Sequence, residues 1–175
     1  MRTSRLAAAT LLAATTLALA AGTSQAAPAP RPASAPVTAA CSAAHTKLTV
    51  QNVSRPINHQ LLTLTNTGST KCNAYAYPYI GFDDDQSVTG AVEDSKPQAV
   101  VTLAPGESAY AGIALSAADG SADHGRWART VRVILDNGSG PAGNPVKVAL
   151  PAGTWIDDSV AVTYWQADPS DALVW

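Results

Sequence analysis

Hydrophobic and polar residues alternate in short stretches along most of the chain, which is the pattern of half-buried β-strands. In Gln60–Thr65, for example, Leu62 and Leu64 point to one face while Thr63 and Thr65 point to the other. Clusters of Asn, Asp, Gly and Pro separate these stretches and are typical of turns; one of them is Pro151-Ala152-Gly153. The pattern predicts eight strands: Lys47–Val53, Gln60–Thr65, Ala74–Phe82, Ala99–Leu103, Ala109–Leu115, Thr130–Leu135, Val146–Leu150 and Ser159–Trp165.

The strand pattern predicts an all-β domain built as a two-sheet β-sandwich, because short strands separated by turns are typical of that architecture. The only candidate for helix is Leu115–Ala122, which has room for a single turn. The antibody type of sandwich places a Trp between two cysteines, whereas Trp127 follows both cysteines here. We predict that Trp165 lies in the core and that Ala172–Trp175 docks as a final strand.

The first residues differ from the rest and match a secretory signal peptide. Met1–Arg5 carries two cations, and Leu6–Ala21 is an apolar run of about 16 residues, shorter than the roughly 20 that span a bilayer. Small residues follow, and cleavage is predicted after Ala26. Because Cys41 lies far beyond the apolar run, we do not expect a lipoprotein. The predicted location is extracellular, either released or held at the cell wall.

The segment after the predicted cleavage point has low complexity. Ala27–Ala40 contains four of the 12 prolines, a composition that is typical of extended, disordered tethers. The folded domain is therefore predicted to cover Cys41–Trp175, which is an ordinary length for a single domain.

The charge of the secreted chain argues against two classes of partner. Of the 11 basic residues, Arg2 and Arg5 precede the cleavage point, so nine remain against 13 acidic residues, a net charge of about −4. Nucleic acids and anionic lipids attract basic surfaces, so neither is an expected partner. Because no later apolar stretch is long enough to cross a bilayer, we expect no membrane insertion of the mature chain.

The chain has two cysteines, Cys41 and Cys72, and in an oxidising compartment they predict one disulfide. The alternative is a pair of free thiols for metal or redox chemistry. The sequence has no Cys-x-x-Cys spacing and no nearby His pair that would favour that alternative.

Several turn and packing motifs resemble a family of exported actinobacterial proteins, domain-of-unknown-function family 4232. The resemblance covers Cys41–Leu115 well and the remainder loosely. It implies an immunoglobulin-like β-sandwich of about seven to nine strands, often in a secreted or lipid-anchored envelope protein, with no established activity. The motifs that carry it are Asn66-Thr67-Gly68, Cys72, Tyr77-Pro78 and Leu103-Ala104-Pro105-Gly106-Glu107-Ser108-Ala109.

The chain departs from the family pattern at two places. Ala76 stands where the family usually has Gly before Tyr-Pro, so we expect that the backbone there does not need a conformation reserved for Gly. Many members carry a second cysteine pair in the C-terminal half. This chain has tryptophans in that region instead, at Trp127, Trp155 and Trp165.

Catalytic or metal-binding motifs are hard to find. None of the three histidines, His45, His59 and His124, lies in a nucleophile motif, and we expect all three to be exposed to solvent. Asp83-Asp84-Asp85 is the only dense carboxylate cluster, but its spacing does not match a calcium loop. We interpret it as a solvated turn and predict no metal and no cofactor.

A row of tyrosines is the most plausible ligand-binding feature. Tyr75, Tyr77 and Tyr79 alternate along one predicted strand, so their rings are expected to line one face. Pro78 has no N–H to donate, which favours an edge strand or a bulge. Such a row could stack on sugars or dock a protein. The alternative is that this face packs inward or only shields the sheet.

These observations favour a secreted, non-catalytic binding or interaction module of the cell envelope, with a cell-wall polysaccharide or an extracellular protein as partner. A carbohydrate-binding module that uses the Tyr75, Tyr77 and Tyr79 face is the second hypothesis. The third is an extracellular hydrolase with scattered carboxylates, since glycoside hydrolysis needs only a pair of them.

Overall fold

A computed structural model describes residues 37–175, so the predicted signal peptide and most of the predicted tether lie outside the described residues. In the described part the chain is all-β, as predicted, with nine strands, three short 3-10 turns and no α-helix. The strands are β1 Thr46–Asn52, β2 His59–Asn66, β3 Cys72–Phe82, β4 Gly90–Val92, β5 Val101–Leu103, β6 Ser108–Ala114, β7 Arg126–Asp136, β8 Pro141–Ile156 and β9 Ala161–Thr163.

The strands form two sheets, which confirms the predicted sandwich; the immunoglobulin-like detail stays a prediction. One sheet has the order β1-β2-β6-β9-β4 and the other the order β5-β3-β7-β8. Neighbouring strands are antiparallel except for β4 and β9, which are parallel. The inner faces bury alternate residues of each strand, and Trp165 lies among them as predicted. The largest core side chains are Trp165, Phe82, Leu62, Leu64, Ile80, Leu103 and Ile113.

All eight predicted strands overlap observed ones, but two strands extend much further than predicted. β7 begins at Arg126 instead of Thr130, and β8 continues to Ile156 instead of ending at Leu150. The prediction that a turn at Pro151-Ala152-Gly153 ends the strand is therefore wrong. Its turn residues form an irregularity within β8, because the register between β7 and β8 shifts at this point.

The predicted disulfide between Cys41 and Cys72 is present. Backbone hydrogen bonds flank it, with the N–H of Cys41 donating to the Asn73 carbonyl at 2.8 Å and the N–H of Asn73 donating to the Ala39 carbonyl at 2.8 Å. The bridge therefore fixes the beginning of the folded domain to the first residues of β3.

A bulge interrupts β3 around Tyr77-Pro78. β5 pairs only with Cys72–Ala74, so among the described residues the part of β3 that contains Pro78 has β7 as its one partner strand, and a register shift between Tyr75 and Tyr79 marks the bulge. The prediction for Ala76 is wrong. Its φ is 48°, in the left-handed region that favours Gly. A conformation that suits Gly is thus kept with Ala in its place.

The predicted C-terminal strand is wrong as well. Asp171–Leu173 forms a 3-10 turn that packs on the outer face of the five-stranded sheet. A Cβ at Gly112 would collide with the carbonyl oxygen of Ala172 there. The turn forms because the Ser170 hydroxyl and N–H donate to Asp168, which curls the backbone locally instead of extending it. None of the helical segments among residues 37–175 is long and apolar enough to traverse a membrane.

Candidate functional site

The three tyrosines of β3 are half-buried. Tyr75 lies opposite Asp136 and Tyr79 opposite Ile134, which places both tyrosines on the outer face of the four-stranded sheet. Tyr77 lies within the bulge and packs against the core. Because of the bulge, the three rings do not form one row on the outer face as expected, although Tyr77 and Tyr79 remain in contact.

The tyrosine rings and hydroxyls already have protein partners. The Tyr77 ring lies 4.7 Å from that of Tyr79 and 5.1 Å from that of Tyr164. The Tyr79 hydroxyl donates to Asp136 at 3.0 Å, and the Tyr164 hydroxyl donates to Glu93 at 2.9 Å. Burial and these carboxylates raise the pKa of both phenols, so both hydroxyls remain protonated donors. Ligand binding by this face stays a prediction.

The histidines are not equivalent. His45 and His124 are exposed, as expected, but the prediction is wrong for His59, which is half-buried. Its Nδ1 lies 2.7 Å from the carbonyl oxygen of Ile57, and its Nε2 is buried without a hydrogen-bond partner among the described residues.

The acidic turn Asp83–Asp85 is a turn as predicted, but only Asp84 is exposed. Arg126 Nη1 lies 3.1 Å from Asp83 Oδ2, and Arg126 Nη2 lies 2.6 Å from Asp85 Oδ2. The turn is thus open to solvent at Asp84, while Asp83 and Asp85 are partly exposed and paired with Arg126. Across residues 37–175, no three His, Cys, Asp or Glu side chains are arranged to hold a metal ion.

Asp83 also organises the backbone of β7. Its Oδ1 accepts the N–H of Arg129 at 3.1 Å and the N–H of Thr130 at 3.0 Å, and its own N–H donates to the Thr130 carbonyl at 2.9 Å. Burial acts to raise the pKa of Asp83, but these hydrogen bonds and Arg126 outweigh it and lower the pKa. An ionised Asp83 thus holds β7 in place where the strand departs from regular pairing.

The most conspicuous exposed feature is a pair of tryptophans, Trp127 and Trp155, called here the tryptophan pair. The two residues are cross-strand neighbours on β7 and β8, and 65% of Trp127 and 42% of Trp155 are exposed. Their rings lie 5.0 Å apart in an edge-to-face arrangement. Such an arrangement stabilises a ring pair by about 0.5–1.5 kcal/mol and leaves ring surface open to solvent.

A groove lies beside Trp127, and a bulge in β8 creates it. Ala128 pairs with Thr154 and Thr130 pairs with Ala149, so four residues of β8 lie opposite Arg129 alone. These four residues line a cavity of about 420 Å³, called here the bulge groove. Its lining residues are Trp127, Ala128, Arg129, Leu150, Pro151, Ala152 and Gly153.

The bulge is anchored to the core. The hydroxyl of Thr154 donates to the Pro151 carbonyl at 2.7 Å and accepts from Nε2 of Gln60 at 2.7 Å. Gln60 is fully buried on β2 of the opposite sheet. The groove wall is therefore held by a polar contact that bridges the two sheets, and its shape is built into the fold.

A second, polar cavity of about 330 Å³ lies at the same end of the sandwich. His124 Nδ1 lies 3.3 Å from Asp158 Oδ2 there. Burial acts to raise the pKa of Asp157, but donors from Ser159 and Ala117 lower it, so that carboxyl is poorly suited to act as a general acid. Other residues that line this cavity are Asp85, Ser87, Thr89, Arg126, Ile156 and Val160.

The strand pattern overlooked this site for a physical reason. Arg126-Trp127-Ala128-Arg129 does not alternate, and Pro151 with Gly153 resembles a turn. The sequence did contain one indication of the site. Tryptophans are frequent in the C-terminal half, where many members of the family that the chain resembles carry a second cysteine pair.

We predict that Gly125→Ala displaces Trp155. A Cβ at Gly125 would collide with ring carbon Cζ2 of Trp155, so the indole, which is already 42% exposed, has to shift away from Gly125. The expected result is a red shift of tryptophan fluorescence and a weaker near-ultraviolet circular dichroism signal. Gly90→Ala is the matched control, because a Cβ there meets nothing within 4 Å. An unchanged spectrum for Gly125→Ala would contradict the close packing of Gly125 against Trp155.

The chain matches one described protein family over most of its length. Residues 41–166, most of the chain, match a domain of unknown function, DUF4232. No curated protein and no solved structure matches the chain. The matched segment contains both cysteines, the tryptophan pair and the bulge groove. Because the match covers more than half of the chain, the chain belongs to the DUF4232 family.

Proposed function

We propose that this protein is a secreted, non-catalytic binding module that contacts its ligand through the tryptophan pair. The observation that carries the proposal is the exposure of Trp127 and Trp155 side by side, next to a groove whose wall is fixed to the core. Tryptophan is enriched among the residues that dominate binding energy, since it contributes a large apolar surface with few rotatable bonds.

The size of the exposed surface makes the contribution substantial. A ligand that covered both indoles would remove on the order of 150–250 Å² of aromatic surface from water, which at about 25 cal/mol per Å² corresponds to roughly 4–6 kcal/mol. This gain is offset in part by the cost of association. The tryptophan pair would thus be the dominant contact of a ligand with modest affinity.

Two observations support an extracellular, non-catalytic role. The Cys41–Cys72 disulfide is typical of oxidising compartments and agrees with the secretory signal that the sequence predicts. Two carboxylates of the acidic turn have a structural partner, since Asp83 and Asp85 bind Arg126. They hold the turn against β7, which is a structural role.

The test is retention on purified cell-wall material and on an array of immobilised glycans. Trp127→Ala is expected to weaken binding by about 30-fold, as for a residue that contributes 2 kcal/mol. Trp175→Ala is the matched control, because this tryptophan is 47% exposed and lies at the C-terminal turn, away from the pair. We expect binding by Trp175→Ala to equal that of the unaltered protein.

Tyr79→Ala distinguishes the tyrosine face from the tryptophan pair. If the β3 tyrosines bind the ligand, this variant loses retention while Trp127→Ala keeps it, and the proposed site is wrong. Equal losses in Trp127→Ala and Trp175→Ala would likewise contradict it.

A further inference from the structure

We infer that the bulge groove takes a sugar that carries a carboxylate group, with Arg129 as the residue that binds the carboxylate. The inference rests on the proposed function, because it assigns a ligand class to the same surface. Three features of the groove support it: a guanidinium that forms no ion pair within residues 37–175, an exposed indole and apolar lining residues.

The guanidinium of Arg129 is available to a ligand. Arg129 is exposed and lines the groove, while its backbone N–H is held by Asp83 Oδ1 at 3.1 Å. The ion pairs formed within residues 37–175 involve His124 and Arg126, and Arg129 takes part in none of them. The backbone is therefore anchored, while the charged group has no carboxylate of its own.

Arginine is chemically suited to a carboxylate. Its planar fork of N–H donors matches the two oxygens of a carboxylate, and charge-assisted bonds of this kind are about twice as strong as neutral ones. Asp85 and Asp83 Oδ2 are the nearby acids, and both bind Arg126. Because these acids pair with Arg126, Arg129 is the cation beside Trp127 that has no ion-pair partner within residues 37–175.

The remaining walls fit the flat face of a sugar ring. Trp127 offers an exposed indole to the groove, and Leu150, Ala152 and Gly153 add apolar lining. A pyranose has an apolar C–H face that packs on an indole, and a uronic acid adds a carboxylate at the ring edge. One uronic acid residue thus matches both the indole and the guanidinium.

The groove suits a small ligand better than a protein surface. Its volume of about 420 Å³ lies within the usual range of small-ligand sites, roughly 300–1,000 Å³. A stable protein interface needs about 800 Å² from each partner and a core that is poor in charge. Asp83 contacts the backbone of Arg129 and pairs with Arg126, so the surface next to the groove carries charge.

The negative net charge of the mature chain does not prevent this contact. Repulsion between the whole chain and an acidic glycan is screened beyond about 8–10 Å at physiological ionic strength. A carboxylate at hydrogen-bond distance from Arg129 lies within that range, so the local cation decides the interaction.

The test uses oligosaccharides of galacturonic, glucuronic and mannuronic acid, each as the free acid and as its uncharged methyl ester. Binding is measured by tryptophan fluorescence and by calorimetry with the full mature chain. We expect at least one free acid to bind at least tenfold more tightly than its ester. Arg129→Gln should abolish that preference by weakening the binding of the free acid at least tenfold, whereas Arg129→Lys should retain part of it. Lys147→Gln, which removes an exposed cation outside the groove lining, is the control and should behave as the unaltered protein.

The outcomes separate the inference from the proposed function. Equal affinity for acid and ester, or an Arg129→Gln variant that keeps the preference, overturns the inference. If no oligosaccharide binds but retention on cell-wall material still depends on Trp127, the inference fails and the proposed function stands. Competition of that retention by a peptide instead of a glycan would identify a protein partner and would also overturn the inference. If Trp127→Ala changes no binding at all, the proposed function fails as well.

Discussion

Removal of the Cys41–Cys72 disulfide is expected to lower the free energy of unfolding by about 3.5–4 kcal/mol. The bridge closes a loop with a sequence separation of 31 residues, and its loss releases the corresponding chain entropy in the unfolded state. For a domain with a stability of roughly 5–15 kcal/mol, this is a large share. The melting temperature should fall by on the order of 10–15 °C.

Urea unfolding of the Cys41→Ala/Cys72→Ala double variant measures this loss. Both cysteines are buried, so the double variant also loses sulfur atoms from the core. The unaltered protein after reduction retains those atoms and separates the two effects. A loss below about 1 kcal/mol in the reduced protein would show that the unfolded chain gains little freedom, contrary to the prediction.

Asp83→Ala is expected to destabilise the fold by about 2–3 kcal/mol. The substitution leaves the N–H groups of Arg129 and Thr130 without their acceptor and removes one carboxylate partner of Arg126. Hydrogen bonds to charged groups contribute about 1.5–3 kcal/mol each when buried, and partial exposure of Asp83 lowers their sum. Ala also adds strain, because φ at this position is 48°.

The loss of stability caused by removing the Asp83 carboxylate should depend on pH. Folding lowers the pKa of Asp83, so its ionisation stabilises the native state fully above the unfolded pKa of about 4. That contribution is lost as the pH falls through the lower, folded pKa. The difference in unfolding free energy between the unaltered protein and Asp83→Asn, which keeps the side-chain size, should therefore shrink in acid.

Asp84→Asn is the matched control for Asp83, because Asp84 is the exposed member of the same turn. Its unfolding free energy should stay within about 0.5 kcal/mol of the unaltered protein at every pH. If Asp83→Asn and Asp84→Asn are equally stable at neutral pH, the hydrogen bonds of Asp83 do not support β7 as described.

The acidic turn that contains Asp83 should affect ligand binding as well as the stability of the fold. Asp83 holds the backbone of Arg129 where β7 faces the bulge of β8. An Asp83 variant that still folds should therefore bind ligand in the bulge groove more weakly. The acidic turn was visible in the sequence, but its partners come from residues more than 40 positions away.

Alternation along the chain was sufficient to predict an all-β sandwich and the burial of Trp165, and the two cysteines were sufficient to predict the disulfide. These features depend on local periodicity, on the number of cysteines and on the apolar character of single strands. All three can be read from the sequence without knowing which strands pack together. The family resemblance rested on the same kind of residues, since its motifs are turns and strand ends.

Only the tertiary structure decided where the aromatic surface lies. Tyr75, Tyr77 and Tyr79 alternate perfectly in sequence, yet the bulge at Pro78 and contacts with β7 and with Tyr164 leave them half-buried. Trp127 and Trp155 are 28 residues apart and become neighbours through the pairing of β7 with β8. Side-chain exposure depends on which strands pair and in which register, and that is a property of long-range contacts that local periodicity does not contain.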